Sequence, residues 1–216
     1  VYDEIARIPL MIGHPNHADQ GGTRRKALTQ ATDIMPTLLD LHGKDIPEDV
    51  LGTSLLPLLE ADHDIRDAAI FGYFGAACNV TDGRYVYHRY PEKLTAEGLY
   101  EYTLMPTRMT TRFSISELVG ATLENPFDFS KGVPLLKLKP RANDAGETIE
   151  VQGMDFEDTQ TRLYDLHSDP DQTTPIDNPE VEARLVAAMV RLMVEADAPA
   201  ELFTRFDLPR EGAANV

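Results

Sequence analysis

The feature that most restricts the fold of this sequence is a tight-turn signal, Asp82-Gly83, between two alternating runs. The runs are AAIFGYFG before the turn and RYVYHRY after it, and such alternation is typical of strands with two different faces. Glycine accepts the positive φ that short hairpin turns require. We therefore predict an antiparallel hairpin, in whose second strand Val86, His88 and Tyr90 share one face. The opposite face of that strand is predicted to present Tyr85, Tyr87 and Arg89.

The first sixty residues contain one apolar run and one helical pattern. Ile8–Ile12 is apolar at consecutive positions, which predicts a strand buried on both faces of an α/β sheet. The stretch ATDIMPTLLDLHG predicts a short helix that is capped by Thr32 or Asp33 and ended by Gly43. The predicted apolar face of this helix consists of Ile34, Leu38 and Leu41. One strand and one helix cannot bury an α/β core, so this part of the chain needs further elements.

The C-terminal part combines a strand with a long helix. TRLYDLHSDPDQ predicts a strand that runs into an acidic turn. Asn178-Pro179 is a capping residue followed by proline, which is typical of a helix start. The predicted apolar stripe of that helix consists of Val181, Leu185, Ala188 and Leu192. Between these regions, residues 91–160 predict only a short helix in SISELVGATL and a short strand in PLLKLKP.

Together these elements predict an α+β fold with two parts. Residues 1–66 are interpreted as the tail of an α/β domain. Residues 67–216 are predicted to form a C-terminal subdomain, in which a small antiparallel sheet packs on the C-terminal helix. An irregular insertion at about 91–160 interrupts that subdomain.

Charge and composition restrict the partners. The formal net charge is −16, from 36 acidic and 20 basic residues, so the surface potential repels nucleic acid and anionic membranes. We expect neither as a partner, and no apolar stretch approaches the roughly 20 residues of a membrane span. The single cysteine, Cys78, excludes an internal disulfide. None of this decides between a cytoplasmic and a periplasmic location.

Two loops contain residue types that bind metals, but neither has a metal-site pattern. The first offers His14, His17 and Asp19 without a defined fourth ligand, so ordinary loop polarity is the better interpretation. The second lacks the mid-loop glycine and terminal glutamate of a calcium-binding loop, and we interpret it as an Asp-Pro turn. Its acidic residues are Asp169, Asp171 and Asp177. We predict no metal site in this chain.

A thiol and a glycosylation signal lie side by side before the predicted hairpin turn. Cys78 has no adjacent cation to lower its pKa, so a buried structural thiol is a better interpretation than a nucleophile. Asn79-Val80-Thr81 has the form of a glycosylation acceptor. His88 has two interpretations, a satisfied sheet histidine or a neutral hydrogen-bonding group in a pocket.

Three stretches resemble the sulfatase family. The first is YDEIARIPLMI, with an aromatic residue and acids before Arg-Ile-Pro-Leu. The second is ATDIMPTLLDLHG, followed by GTSLLPLL, and the third is LYDLHSDPDQ, with Gln172 where glutamate is usual in the family. They occur in the family's order. The resemblance implies that the chain contains the last portion of an α/β domain of the alkaline phosphatase superfamily and the whole C-terminal subdomain.

The same resemblance implies a chemistry for the whole enzyme. Sulfatases hydrolyse sulfate esters with a formylglycine nucleophile, made from the cysteine or serine of Cys/Ser-x-Pro/Ala-x-Arg, and with a divalent cation, usually calcium. Cys78 is followed by Asn-Val-Thr-Asp and does not match that motif. We therefore expect no catalytic residue and no cofactor in this chain, and we expect the chain alone to be inactive. The expected partners are a missing N-terminal sulfatase domain and a small-molecule or saccharide sulfate ester.

The resemblance also indicates site residues. Gly83, Arg84, Tyr85 and His88 match a family pattern in which the histidine points to the substrate pocket, so His88 is the pocket candidate. Near-site support is expected from Tyr2, Glu4 and Arg7, which follow the family's catalytic lysine.

Two other functions stay open from the sequence. One is a phosphonate or phosphate ester hydrolase of the same superfamily, which would share this C-terminal half. The other is a stand-alone binding or oligomerisation module without chemistry. The predicted strand Ile8–Ile12 needs cover on both faces, which a second copy of the chain would supply in a homo-oligomer.

Overall fold

A computed structural model describes residues 6–92, 94, 98–105, 107–109, 111–140 and 159–210. The helices in these residues are α1 (Ile34–Leu41), α2 (Leu56–Glu60), α3 (Ile115–Leu118), α4 (Pro179–Glu195) and α5 (Ala200–Arg205). The strands are β1 (Ala69–Gly72), β2 (Cys78–Thr81), β3 (Tyr85–Arg89), β4 (Glu101–Thr103), β5 (Thr122–Glu124), β6 (Leu135–Leu138) and β7 (Arg162–Asp165). Short 3₁₀ turns occupy Pro15–Gln20, Ala31–Asp33 and Asp128–Ser130.

The main sheet has four antiparallel strands in the order β1-β2-β3-β7. The predicted turn at Asp82-Gly83 is present, with Gly83 at a φ of 89°, but it joins β2 to β3. The sequence analysis was therefore wrong about the first strand of the hairpin, because AAIFGYFG contributes β1 and β2 lies between. The missed strand, CNVT, has a polar residue at every second position and too few apolar residues to stand out.

Helix α4 covers one face of this sheet and forms the core with it. Asn178 caps the helix by accepting a 3.2 Å hydrogen bond from the Val181 N–H, and Pro179 follows as predicted. Its fully buried side chains are Leu185, Met189, Val190 and Met193. They pack against Val80, Tyr87 and Leu163 of the sheet. The predicted helix is confirmed, but its most buried stripe is rotated toward the methionines, and Val181, Ala188 and Leu192 are only partly buried.

The apolar run near the N-terminus differs from its prediction. Ile8–Ile12 forms no strand, and its side chains are exposed, with Met11 at 89%. Helix α1 is present where predicted, yet its predicted apolar face is also exposed, with Leu38 at 52%. Both deviations have the same cause: within the described residues no sheet or helix lies over these side chains.

A buried ion pair fixes the start of α1 to the segment that precedes β1. Asp33 is fully buried, and its two carboxylate oxygens accept hydrogen bonds of 2.5 and 2.7 Å from the Arg66 guanidinium. The same oxygens accept from the backbone N–H groups of Gln30 and Thr53. Burial opposes ionisation, but these four hydrogen bonds outweigh it and hold the pKa of Asp33 below its ordinary value.

The region predicted as an irregular insertion contains a second antiparallel sheet, in the order β4-β6-β5. The predicted strand in PLLKLKP is the central strand β6, and the predicted helix in SISELVGATL is α3, capped by Ser114. Leu135 and Leu138, at the two ends of β6, are buried on opposite faces of the strand. Residues 141–158 of this region lie outside the described residues.

The fold class is α+β, as predicted from the sequence, with antiparallel sheets and a C-terminal helix packed on the larger one. The predicted division at residues 66 and 67 stays a prediction. In the described part of the chain, no helix is long and apolar enough to cross a membrane.

Replacing Asp33 tests the ion pair. Asp33→Ala leaves the Arg66 charge buried without its carboxylate, so we expect the free energy of unfolding to fall by about 3 kcal/mol at pH 7. Urea denaturation followed by circular dichroism measures this, with the exposed Asp64→Asn as control.

The pH dependence tests the same pair independently. Because the folded-state pKa of Asp33 lies below its ordinary value of 3.8, its contribution is complete above about pH 4 and is lost as the pH falls through the folded pKa. Asp33→Asn should reduce the acid sensitivity of stability in that range. An unchanged acid profile would contradict this role.

Candidate functional site

The two faces of the main sheet differ in chemistry. Val80, Tyr87 and Leu163 point to α4 and belong to the apolar core. Because side chains alternate along a strand, their neighbours point to the other side of the sheet. We call that side the His88 face. It consists of Ala69, Phe71, Asn79, Thr81, Val86, His88, Arg162 and Tyr164.

Strand register places polar side chains in one row across the His88 face. Asn79 of β2 lies directly opposite His88 of β3, and His88 lies opposite Arg162 of β7. Phe71 of β1 completes the row beside Asn79. An amide, an imidazole and a guanidinium therefore follow one another across three neighbouring strands.

His88 is the buried centre of this row. Its side chain is 1% exposed, and its ring centroid lies 5.5 Å from that of Tyr164, at an angle of 58° between the ring planes. Burial lowers the pKa of His88 to about 4. At neutral pH the imidazole is uncharged, so one ring nitrogen donates and the other accepts a hydrogen bond. Such a group can recognise an oxygen atom but cannot neutralise its charge.

Asn79 is the residue on this face that sequence reasoning missed. It is 0% exposed, and neither Oδ1 nor Nδ2 has a hydrogen-bond partner in the described structure. Although Asn79-Val80-Thr81 has the form of a glycosylation acceptor, the amide nitrogen of Asn79 is enclosed within a central strand. A polar residue opposite His88 would have indicated the site, had strand β2 been recognised.

The other predicted site residues are not brought into this row. Tyr2 and Glu4 lie outside the described residues. Arg7 is described and exposed, next to the apolar run at 8–12. Their support of an active site therefore stays a prediction.

Cys78 lies on the opposite face of β2 and packs against the α4 core. Burial raises the pKa of its thiol to about 11, so the thiol is protonated at neutral pH. The structure agrees with the interpretation of Cys78 as a structural thiol.

Two of the loop residues that resembled metal ligands, His14 and Asp169, accept local backbone hydrogen bonds. The His14 side chain accepts a hydrogen bond from the Asn16 N–H, and Asp169 accepts from the N–H groups of Thr173 and Thr174. Among the described residues no group of three or more His, Cys, Asp or Glu side chains is arranged to hold a metal ion. The residues present therefore do not fit calcium, nor does Cys78 fit the formylglycine motif.

A separate cavity of about 700 Å³ lies between the β1–β2 turn, β4 and the α4–α5 corner. Its wall is mostly apolar and includes Cys78 and Arg205, whose Nη2 donates a 2.6 Å hydrogen bond to the Gly75 carbonyl. Neither Asn79 nor His88 lines this cavity. The polar side chains of the row thus lie outside this cavity, although Phe71 lines it.

Comparison with known families identifies the class of protein. Residues 1–116 match the family described as "N-sulphoglucosamine sulphohydrolase, C-terminal". The match spans more than half of the chain and includes α1, the main hairpin and His88. The chain belongs to this sulfatase family, as the resemblance of its motifs indicated.

Two of the relatives are sulfatases of Bacteroides thetaiotaomicron. An N-acetylglucosamine-6-O-sulfatase is 37% identical over 78 residues, which are 34% of this chain and 14% of that enzyme. A Delta 4,5-hexuronate-2-O-sulfatase is 37% identical over 62 residues, which are 28% of this chain and 13% of that enzyme. The chain thus matches a small part of the length of each relative.

A solved structure from work on the metabolism of multiple glycosaminoglycans by the same bacterium also aligns with the chain. The alignment covers 83% of this chain and 30% of that one, with 20% identity and a TM-score of 0.44.

The burial of His88 predicts a specific pH dependence. Its folded-state pKa of about 4 lies below the ordinary 6.5, so between these values the unfolded chain binds more protons than the folded chain. The neutral form stabilises the fold above pH 6.5, and we expect on the order of 3 kcal/mol to be lost as the pH falls to 4.

Chemical denaturation across this pH range measures the loss. His88→Gln should remove that part of the pH dependence, whereas His63→Gln, at an exposed position, should keep it. Equal slopes for the wild type and His88→Gln would show that His88 titrates normally.

Proposed function

We propose that this chain is the C-terminal portion of a sulfatase-type enzyme that hydrolyses sulfate esters. In that enzyme it completes the fold and lines the substrate cleft with the His88 face. The main support is the family match over residues 1–116, which contains His88. The short share of each relative that the chain matches supports a larger parent protein.

The proposal assigns the nucleophile and the metal ion to the remainder of the enzyme. Cys78 is a protonated, packed thiol, and the described residues do not form a metal-binding group. A formylglycine and a divalent cation such as calcium would therefore be held outside this chain. The role of this chain is to bind and orient the substrate.

His88 is the proposed pocket residue. Its neutral imidazole donates a hydrogen bond to an ester or sulfate oxygen, or accepts one from a substrate hydroxyl. A hydrogen bond to a charged group contributes about 1.5 to 3 kcal/mol, which is enough to affect substrate affinity. The names of the relatives support a saccharide sulfate ester as the substrate class.

The exposed apolar surface near the N-terminus supports contact with another body. Leu38 and Leu41 of α1 and Met11 expose 52%, 43% and 89% of their areas. Soluble domains rarely leave a helix face of this kind uncovered. We assign this surface to the missing N-terminal domain. Self-association of the chain is the competing explanation.

The first test compares the isolated chain with the full-length protein whose reading frame contains it. We expect the chain to show no turnover of 4-nitrophenyl sulfate with calcium, and the full-length enzyme to hydrolyse it. Turnover by the chain alone would contradict the assignment of the nucleophile. Faster hydrolysis of phenyl phosphonate or phosphate esters by the full-length enzyme would favour the phosphoryl-transfer relatives.

The second test concerns His88 in the full-length enzyme. His88→Ala should raise KM about ten-fold or more, as loss of a hydrogen bond to an anionic substrate implies. His63→Ala is the matched control. Wild-type KM and kcat for His88→Ala would remove His88 from the pocket.

The third test concerns the apolar surface. Leu38→Glu should not alter the stability of the isolated chain, because Leu38 is half exposed there, but it should prevent the full-length enzyme from folding to an active form. Val194→Glu, on α4 and 51% exposed, is the control and should leave the enzyme active. Analytical ultracentrifugation of the isolated chain reveals self-association, and a dimer that Leu38→Glu disrupts would favour the competing explanation.

A further inference from the structure

The small sheet β4-β6-β5 ends on an uncovered edge strand. Strand β6 pairs with β4 on one side and with β5 on the other, and within the described residues no further strand pairs with β5. Thr122 and Leu123 of β5 are exposed, Leu123 at 73%. An edge strand presents backbone N–H and C=O groups to which a strand of another chain can pair, and lysine or proline often prevents this. Strand β5 contains neither, so its outer edge is open to pairing.

We propose that β5 pairs with β5 of a second copy of this chain. The two strands run antiparallel about a two-fold axis through Leu123, and the two small sheets join into one sheet in the order β4-β6-β5-β5-β6-β4. The contact is isologous, because the same surface of both copies takes part in it. This inference goes beyond the proposed function, since it concerns assembly and does not depend on the substrate.

The side chains of β5 match themselves in this arrangement. Leu123 lies opposite Leu123 of the second copy, and Thr122 lies opposite Glu124 of the second copy. Within one chain the Thr122 hydroxyl donates a 3.0 Å hydrogen bond to Glu124 Oε1, so these two side chains lie on the same side of the strand. Across the axis each Thr122 hydroxyl can donate to the other Glu124, while the two leucines form an apolar cross-strand pair on the opposite side.

The segments on both sides of β5 are also apolar and exposed. Leu118 and Val119, at the end of α3, expose 45% and 66% of their areas, and Phe129, which follows β5, exposes 50%. Antiparallel pairing places the segment before β5 of one copy beside the segment after β5 of the other. Leu118 and Val119 of each copy therefore meet Phe129 of the other, and the two-fold axis repeats this apolar contact.

The distribution of charge favours this region for a contact between copies. The formal net charge is −16, so two copies repel each other over most of their surfaces. Residues 98–140, in contrast, contain five basic and four acidic side chains and are nearly neutral. Lys137 Nζ lies 3.9 Å from Glu124 Oε1, which reduces the negative potential at the edge itself. Pairing through β5 thus brings together nearly neutral parts of two acidic chains.

The first test measures the dimer dissociation constant of the full-length protein by analytical ultracentrifugation. We expect the wild type to dimerise. Leu123→Lys places two like charges directly opposite each other at the axis, and it should raise the dissociation constant about ten-fold or more. His63→Lys adds the same charge at an exposed position outside β5, and it should change the constant less than about two-fold because salt screens a charge that lies away from the contact.

The second test examines the register by cross-linking. Leu123→Cys places two thiols directly opposite each other, at a separation that an antiparallel pair and a disulfide both allow. Oxidation with copper phenanthroline should therefore give a covalent dimer on a non-reducing gel. Met109→Cys, 91% exposed and outside β5, is the control and should cross-link about ten-fold more slowly or less. The native Cys78 thiol is protonated at neutral pH and should contribute little.

Three outcomes would overturn the inference. The first is a wild-type protein that stays monomeric at about 100 μM, which leaves the proposed function standing. If Leu123→Lys also inactivates that monomer, the occupant of the β5 edge is another part of the same enzyme. The second is a dimer whose dissociation constant is the same in the wild type and Leu123→Lys, because the contact then lies elsewhere. The third is equally fast cross-linking of Met109→Cys and Leu123→Cys.

Discussion

The structure depends on the burial of one sheet face by one helix. Leu185 and Met189 of α4 close against Val80 and Tyr87 and bury the apolar face of the sheet that carries them. The apolar face supplies the burial that stabilises the subdomain. The opposite face is enclosed as well, with Val86, His88 and Tyr164 at 2% exposure or less. Both faces of the central strands are therefore buried in the described structure.

The elements that were predicted correctly are those that depend on residues close together in the sequence. The Asn178-Pro179 start of α4, the turn at Gly83 and the alternation of β3 all depend on residues close together in the chain, and the structure contains all three. The face on which His88 lies followed from the same alternation. Strand β2 was missed because it is held in place by pairing with the strands on both sides rather than by a pattern of its own. Without β2, the position of Asn79 in the sheet could not be predicted.

The wrong prediction at Ile8–Ile12 has a different origin. An apolar run indicates that a segment has to be covered by other elements, but those elements come from elsewhere in the fold. In the described structure nothing lies over these residues, so the run has no regular secondary structure and is exposed. The same holds for the apolar face of α1. The predicted roles of Tyr2 and Glu4 depend on this region, and both residues lie outside the described part of the chain.

Two consecutive side chains tie the halves of the chain together. Arg66 binds buried Asp33 at the start of α1, and the next residue, Asp67, accepts hydrogen bonds of 2.7 and 2.8 Å from Arg191 of α4. The position at which the sequence changes from a helical to an alternating pattern is thus held by a buried ion pair at Arg66 and by an exposed one at Asp67. Because exposed ion pairs contribute little to stability, the attachment of this connection to α1 is stronger than its attachment to α4.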